Sequence, residues 1–184
     1  MPRKPDPDLE RHIVEAASRL LESGGLEAVT MREVAKVAGT TTPTLYERFA
    51  DREALVAAVT DVFRDRLMAV LNPEDSLEQL GRKFLDFCQE NPNAVGLLVT
   101  RVAQNLRSRS QGPVYELVRK NLVKLNGFSS KDAEEVTLAT SSTMVGAALL
   151  MTELGAQTRA GKDLYAATIK LLQRIMKSNH AVAR

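Results

Sequence analysis

The sequence predicts an all-α protein of about nine helices. Aromatic residues make up only 4% of its 184 residues, tryptophan is absent, and the alternation of β-branched and polar residues that is typical of strands is scarce. Ala, Leu, Glu, Lys and Arg, which favour helices, are abundant. With 44% hydrophobic residues, a chain of this length can bury a sizeable core and fold unaided.

The composition also bears on where the protein acts. The single cysteine, Cys88, cannot form an internal disulfide, and no secretory signal pattern opens the chain, so we expect a cytoplasmic protein. The longest uncharged run, residues 136–152, is 17 residues long and holds five Ser or Thr residues before Met144. A membrane-spanning helix needs about 20 predominantly apolar residues. We therefore expect no membrane-spanning segment.

The charge of the chain does not by itself indicate a nucleic-acid partner. The net charge is only +2, and residues 1–60 carry 8 basic and 10 acidic side chains, whereas residues 61–184 carry 17 and 13. A DNA-binding N-terminal region would therefore have to collect its few basic groups on one face and turn its acidic groups away.

The chain is predicted to begin with a mobile leader, residues 1–8, which is rich in proline and charge. Its Arg3 and Lys4 could touch phosphates. A first helix is predicted from Leu9, where apolar residues begin to recur at helical spacing, and Gly24-Gly25 is expected to end it.

The next segment has the pattern of a helix-turn-helix. Thr30 and Glu33 match a capping box, in which each side chain accepts the backbone N–H of the other residue, and open a short second helix. Small Ala35 allows a crossing helix to come close, Gly39 supplies a turn with positive φ, and Leu45 anchors the following helix. Two short helices joined by a tight turn are therefore expected.

The stretch VAGTTTPTLYERF, residues 37–49, places poor helix formers at the start of that following helix. Thr41 or Thr42 is expected to cap it, and Pro43 is tolerated in a first turn whose N–H groups have no partner within the helix. Thr42 and Thr44 would then stand exposed at the start of a helix that could enter a major groove, where hydroxyls contact base edges and methyl groups contact thymine.

Residues 25–55, GLEAVTMREVAKVAGTTTPTLYERFADREAL, resemble the N-terminal domain of the tetracycline-repressor (TetR-type) family of transcriptional regulators. The matching features are the short helix after a threonine cap, the glycine turn, the TLY followed by Phe, and the charged DREAL that opens a fourth helix. The resemblance implies a helix-turn-helix DNA-binding domain with a three-helix bundle over residues 9–52. It also implies a divergent helical ligand-binding and dimerisation domain over residues 53–184.

The resemblance further implies which side chains contact DNA. Arg32 falls where the family often has a base or phosphate contact, Tyr46 where it has a phosphate-binding tyrosine, and Arg52 where it usually has lysine. Arg32 and Arg52 could instead be ordinary solvated charges, and Tyr46 a half-buried core residue. Capping alone suffices to explain Thr41. The predicted DNA-binding residues are Arg32, Thr41, Thr42, Pro43, Thr44, Tyr46, Arg48 and Arg52.

The segment departs from the family pattern at two places. Thr40-Thr41 replaces the frequent Val-Ser, and Glu47-Arg48 replaces a commoner neutral or aromatic-His pair. Arg48 is expected to contact the DNA backbone, whereas Glu47 either reads cytosine or faces solvent.

Six further helices are predicted beyond Asp51, because Pro, Gly and Asn interrupt the apolar periodicity at regular intervals. Ser76 and Gln79 match a second capping box, and Ser129 or Ser130 is expected to cap a long helix. The approximate ranges are 52–71, 76–90, 93–107, 114–125, 130–154 and 162–177.

The predicted helix 130–154 has no polar face between Thr143 and Met151. It is either a central core helix or a helix that meets its own core on one side and a second subunit on the other. The resemblance favours the second, because TetR-type proteins form a four-helix dimer interface from the last two helices of each subunit. The expected interface residues are Met144, Ala147, Ala148, Leu150, Met151, Leu164, Leu172 and Ile175.

Residues 83–144 mix apolar side chains with sparse polar groups, as ligand cavities do, although these residues could equally do no more than form the core. We expect a largely apolar small-molecule effector to bind there. The predicted ligand-binding residues are Phe84, Phe87, Leu98, Thr100, Val102, Gln104, Tyr115, Leu122 and Met144.

An enzymatic function, a metal site and a cofactor are not expected. His12 and His180 have no partner at metal-binding spacing, and Cys88 follows Phe87 on an apolar helix face. The preferred hypothesis is a homodimeric regulator, a repressor that binds near-palindromic double-stranded DNA and is released by a small molecule. The alternative is a helical small-molecule-binding protein with a vestigial DNA-binding face. Salt-dependent binding to its own promoter would favour the first.

Overall fold

The structure, a computed structural model, describes residues 7–108 and 110–182, with only the backbone of Pro7, Asn126 and residues 178–182. Arg3, Lys4 and Arg109 lie outside the described residues, as does the side chain of His180. The described part of the chain forms nine α-helices and no strand, which confirms the predicted all-α fold. The helices are α1 (Pro7–Ala28), α2 (Met31–Val37), α3 (Thr42–Tyr46), α4 (Arg52–Val70), α5 (Leu77–Glu90), α6 (Pro92–Arg107), α7 (Pro113–Asn126), α8 (Ser130–Leu154) and α9 (Arg159–Val182).

The chain divides into two compact units within α4, the first ending at Asp65 and the second beginning at Arg66. The sequence predicts the boundary earlier, at the start of this helix. The division assigns the first half of α4 to the N-terminal unit, and its Leu55, Val59 and Phe63 are fully buried.

Helix α1 begins two residues before the predicted start and continues past the predicted end. Proline is tolerated in a first helical turn, and Asp8 and Glu10 place negative charge where the helix dipole favours it. Gly25 adopts φ 68°, which kinks the helix without ending it, and helical residues resume as far as Ala28. Gly24-Gly25 therefore marks a kink near the end of α1 and not the end itself.

The turn between α2 and α3 has the geometry that the sequence predicts. Gly39 has φ 67°, its N–H donates to Lys36 O at 3.3 Å, and the Thr40 N–H donates to Ala35 O at 2.9 Å. These two bonds form a Schellman motif. A Cβ at Gly39 would meet no atom within 4 Å, so the backbone conformation, rather than lack of space, requires glycine here.

The capping box predicted for α2 is only half formed. The Thr30 hydroxyl accepts the Glu33 N–H at 3.2 Å, as expected. The Thr30 N–H, however, donates to Ala28 O at 3.0 Å, so the Glu33 carboxylate is not needed as its acceptor. The second predicted box is complete: Gln79 N–H donates to Ser76 Oγ at 3.2 Å, and Ser76 N–H donates to Gln79 Oε1 at 2.8 Å.

The C-terminal unit is built around α5, α7, α8 and α9. Its core contains Leu85, Leu122, Met144 and Leu172, each less than 9% exposed. A Cβ at Gly81 would clash with Leu172, so this glycine allows α5 and α9 to approach closely. None of the helices in the described residues combines the length and the apolarity that a bilayer-spanning segment requires.

Candidate nucleic-acid interface

The start of α3 is organised by a pair of threonines. Thr41 is the N-cap, and its hydroxyl accepts the Thr44 N–H at 3.3 Å. The two hydroxyl oxygens lie 2.9 Å apart, so one hydroxyl donates to the other. Pro43 occupies the first turn, as predicted, and is exposed, while Thr42 and Thr44 are partly exposed. The capping expected of Thr41 or Thr42 therefore falls to Thr41.

The buried side of α3 anchors this helix to the core of the N-terminal unit. Leu45 is fully buried and Phe49 is 6% exposed, whereas Tyr46 is 54% exposed. Tyr46 is therefore an outward-facing residue and does not belong to the core. Glu47 is also exposed.

Helix α2 places its basic side chains away from the core. Met31, Val34 and Ala35 are buried, and Arg32 is exposed. Lys36 lies four residues after Arg32, which puts both on one helix face, and its nearest acidic partner, Glu33, is 3.8 Å away. Lys36 is not among the predicted DNA-binding residues, although its spacing of four residues from Arg32 indicates it.

Arg48, which precedes α4, and Arg52, its first residue, both interact with other groups of the chain. Arg48 is partly buried and takes part in an interaction within the chain. Arg52 Nε donates to Val29 O at 2.6 Å, and Arg52 Nη2 donates to Leu26 O at 2.6 Å. No sequence pattern indicated these bonds, because their acceptors are backbone carbonyls 23 and 26 residues away in the chain.

The C-terminal unit contains a partly open cavity of about 250 Å³. It lies between the end of α5, the start of α6 and the end of α8. Burial raises the pKa of the Cys88 thiol in its wall to about 12, so the thiol is neutral at physiological pH. The lining residues are Cys88, Gln89, Pro92, Ala148, Met151, Thr152, Gly155 and Ala156.

None of the nine residues predicted to bind a ligand lines this cavity. Leu122 and Met144 belong to the core, and Phe84 packs against it. Phe87 is buried and Leu98 is partly buried. The remaining four are more open to solvent: Thr100, Val102 and Gln104 are exposed, and Tyr115 is partly exposed with its hydroxyl donating to Glu134 O at 3.3 Å.

The residues predicted for a dimer interface also divide by burial. Leu150 is 53% exposed, and Leu164 and Ile175 are partly buried. The other five, Met144, Ala147, Ala148, Met151 and Leu172, lie in the core of their own subunit. The outward side of α8 instead presents Leu138, Leu149 and Leu150, which are 45%, 39% and 53% exposed.

Buried polar groups are satisfied, and metal-binding clusters are absent, throughout the described residues. Within them, no buried side-chain nitrogen or oxygen lacks a hydrogen-bond partner. No group of three or more His, Cys, Asp or Glu side chains in this part of the chain could hold a metal ion.

Part of the N-terminal unit is similar to a known protein family. Residues 13–59 match the family of bacterial regulatory proteins described as the tetR family. No curated protein sequence matches the chain significantly.

Solved structures show the same fold over almost the whole chain. BioQ of Mycobacterium smegmatis shares 18% identity and a TM-score of 0.68, with 92% of this chain and 98% of that chain covered. BioQ bound to its natural double-stranded DNA operator gives the same four values. A TetR variant from Acinetobacter baumannii AYE in complex with minocycline shares 20% identity and a TM-score of 0.68, with 98% and 99% covered.

The family match covers the helix-turn-helix, with the exposed start of α3 and the outward basic face of α2. Residues 13–59 therefore match a tetR-family DNA-binding domain, and the chain has the all-helical fold of the solved BioQ and TetR structures.

Proposed function

We propose that the protein is a homodimeric repressor that binds a near-palindromic operator and is released from it by a small, largely apolar effector. The observation that carries the proposal is the exposed start of α3, with Thr42, Pro43 and Thr44 held by the Thr41 cap and anchored behind by buried Leu45.

The proposed DNA contacts divide into two kinds. The start of α3, the proposed recognition helix, meets base edges in the major groove through Thr42, Pro43 and Thr44. Phosphate contacts are assigned to Arg32 and Tyr46, which are exposed, and to Arg48, which is partly exposed. Thr41 acts through Thr44, whose hydroxyl it holds. Lys36 adds a positive charge on the same face as Arg32.

The proposed dimer interface is the outward face of α8. Residues 136–152 carry no charge, so this face has no ionised group to favour solvent. A surface helix normally carries a polar outward face, and an exposed apolar one marks an interaction site. We therefore assign the interface to Leu138, Gly146, Leu149 and Leu150, together with Leu171 of α9, which is 41% exposed. These outward residues replace the five predicted residues that the subunit core buries.

The proposed effector site is the cavity beside Cys88. Its volume of about 250 Å³ exceeds the roughly 150 Å³ of an apolar cavity that binds benzene. The neutral thiol and the small side chains Ala148 and Ala156 suit an apolar guest. The minocycline complex of the similar TetR variant supports a small molecule as the class of effector. As a DNA-binding regulator, the protein is proposed to act in the cytoplasm.

Binding to the protein's own promoter tests the DNA half of the proposal. Affinity for a promoter fragment, measured by fluorescence anisotropy, should exceed affinity for a scrambled fragment and should fall steeply with salt, because phosphate contacts release counterions. Equal and weak binding to both fragments would favour the alternative, a small-molecule-binding protein with a vestigial DNA-binding face.

The reactivity of Cys88 tests the effector half, because Cys88 is the only cysteine of the chain. Indole is a suitable neutral probe, and methyl methanethiosulfonate a small neutral thiol reagent. We expect indole to slow the modification of Cys88, as followed by intact mass. Thr152→Phe, which fills the cavity rim, should abolish the protection, whereas Gln157→Phe on the exposed neighbouring turn should preserve it. Modification at an unchanged rate in saturating indole would contradict this site for small aromatic guests.

A further inference from the structure

Arg52 is the first residue of α4, and its side chain reaches the connection between α1 and α2. Its Nε donates to Val29 O and its Nη2 to Leu26 O, both at 2.6 Å. These distances are at the short end for N–H···O bonds, as expected when the donor is charged. Two of the three guanidinium nitrogens are thus used within the protein.

The chemistry of this contact suits arginine and not lysine. The acceptor carbonyls lie at the C-terminal end of α1, where carbonyl groups lack partners in a following turn and carry partial negative charge. Leu26 O also accepts the Val29 N–H at 3.2 Å. A planar guanidinium can serve two acceptors in one fixed arrangement, whereas an ammonium group is a compact point charge on a flexible stem.

The same contact limits how Arg52 could bind a phosphate of DNA. An arginine that binds a phosphate bidentately presents two nitrogens to it. The bonds to Val29 O and Leu26 O use the Nε–Nη2 edge of the guanidinium, so a phosphate could bind bidentately through that edge only by displacing them, and losing a charged donor costs more than losing a neutral one. Val29 is only 1% exposed, so water has little room to replace the guanidinium there.

We propose that Arg52 is a positioning residue and not a phosphate contact. It fixes the connection between α1 and α2 to the first turn of α4. That connection contains Thr30, the N-cap of α2, so Arg52 also sets the position of α2 and of the basic face that begins with Arg32. Only the effect on the basic face of α2 rests on the proposed DNA binding.

The test compares Arg52→Lys and Arg52→Gln with Arg32→Gln as a matched control on the exposed face of α2. Arg52→Lys keeps the charge but lacks the planar fork that holds the two carbonyls in one fixed arrangement. We expect both Arg52 variants to lower the melting temperature by several degrees and to speed amide hydrogen exchange in residues 26–34. Both should also weaken operator binding to the same extent, without changing the slope of log K against log salt. Arg32→Gln should leave stability and exchange unchanged and reduce that slope by about 0.9.

The opposite pattern would identify a phosphate contact. In that case Arg52→Lys would behave like the wild type, and Arg52→Gln would lose about one unit of salt slope with normal stability and exchange. Unchanged exchange in residues 26–34 of Arg52→Gln overturns the positioning role by itself. If the wild-type protein bound no DNA, the exchange and stability measurements would still decide the role of Arg52, so the two proposals fail separately.

Discussion

At the scale of single residues, Thr41 and Thr44 combine a structural role with a proposed role in DNA binding. The Thr41 hydroxyl accepts the Thr44 N–H and is paired with the Thr44 hydroxyl, so the two side chains hold each other at the exposed start of α3. Capping explains Thr41 completely, whereas Thr44 lies within the helix and its hydroxyl is not needed as a cap. This difference separates the expected effects of the two substitutions.

Thr44→Ala should weaken binding to the operator by about 1 to 3 kcal/mol and alter the base preference, because one contact to a base edge is lost. Thr41→Ala should instead lower the free energy of unfolding by about 1 kcal/mol through the loss of the cap. Anisotropy titrations on specific and random DNA, together with chemical denaturation, distinguish them. Equal losses of affinity on both DNAs for Thr44→Ala would show that Thr44 does not read bases.

Cys88 makes the stability of the protein sensitive to alkaline pH. Burial raises its pKa to about 12 from an ordinary value of 9.0. Below about pH 9 the thiol is protonated in both the folded and the unfolded chain, so it contributes no pH dependence. Above that, the unfolded chain loses the proton and the folded protein does not, which favours unfolding.

The contribution of this thiol should amount to about 1 kcal/mol between about pH 9 and pH 10, and it should disappear in Cys88→Ala. The difference in free energy of unfolding between wild type and variant, measured by denaturation at each pH, isolates it from the lysines and tyrosines. A difference that stays constant with pH would mean that the folded protein does not hold the thiol proton more tightly than the unfolded chain.

At the scale of elements, the connection between α4 and α5 shows which contacts hold a loop. Asn121 of α7 is 2% exposed, and its Nδ2 donates to Pro73 O at 3.0 Å and to Asp75 O at 2.6 Å. Lys124, one turn further along α7, pairs with Glu74 at 2.7 Å, but both side chains are more than 60% exposed. A partly buried hydrogen bond stabilises a protein more than an exposed ion pair does, so the Asn121 contact should contribute more to stability than the Lys124 contact.

Asn121→Ala should lower the free energy of unfolding by about 1 to 3 kcal/mol, because two backbone acceptors lose their donor in a buried place. Lys124→Ala, the control on the same helix, should cost less than about 1 kcal/mol. Urea denaturation of both variants provides the measurement. If the lysine variant were the less stable of the two, the exposed ion pair would be the main contact of this loop.

For the whole molecule, the proposed dimer depends on the outward face of α8. This 25-residue helix buries one side in its own core and presents Leu138, Leu149 and Leu150 on the other. Gly146 lies between these leucines, and a Cβ at this position would meet no atom within 4 Å. A side chain can therefore be added there without disturbing the subunit.

Gly146→Arg should convert the dimer to a monomer and abolish operator binding with little change in helicity, because the charge would be buried against the partner. Gly96→Arg is the matched control: Gly96 is exposed on α6, and a Cβ added there would also meet no atom within 4 Å, so this variant should remain dimeric. Analytical ultracentrifugation and circular dichroism report both effects. A wild-type monomer at micromolar concentration would contradict the proposed assembly.

Local signals in the sequence account for most helix boundaries and for the turn of the helix-turn-helix. Caps, prolines and glycines act over three or four residues, so the starts of α3, α5 and α8 and the positive φ of Gly39 were predictable without knowledge of the fold. The same locality explains the half-formed capping box of α2. The Thr30 box requires the Thr30 N–H to be available, and Ala28 O takes it from outside the motif.

The sequence by itself determined the helical class, the helix-turn-helix pattern and the resemblance of residues 25–55 to the tetR family, because each depends on short-range patterns. Only the tertiary structure decided which side of α8 faces the core, since a segment that is apolar all round has no polar face to orient it. It also decided the partners of Arg52, whose acceptors are backbone carbonyls that every residue possesses, and the cavity beside Cys88, which small residues from three separate helices and a turn create together. Contacts between residues far apart in the chain depend on packing, and no local pattern specifies them.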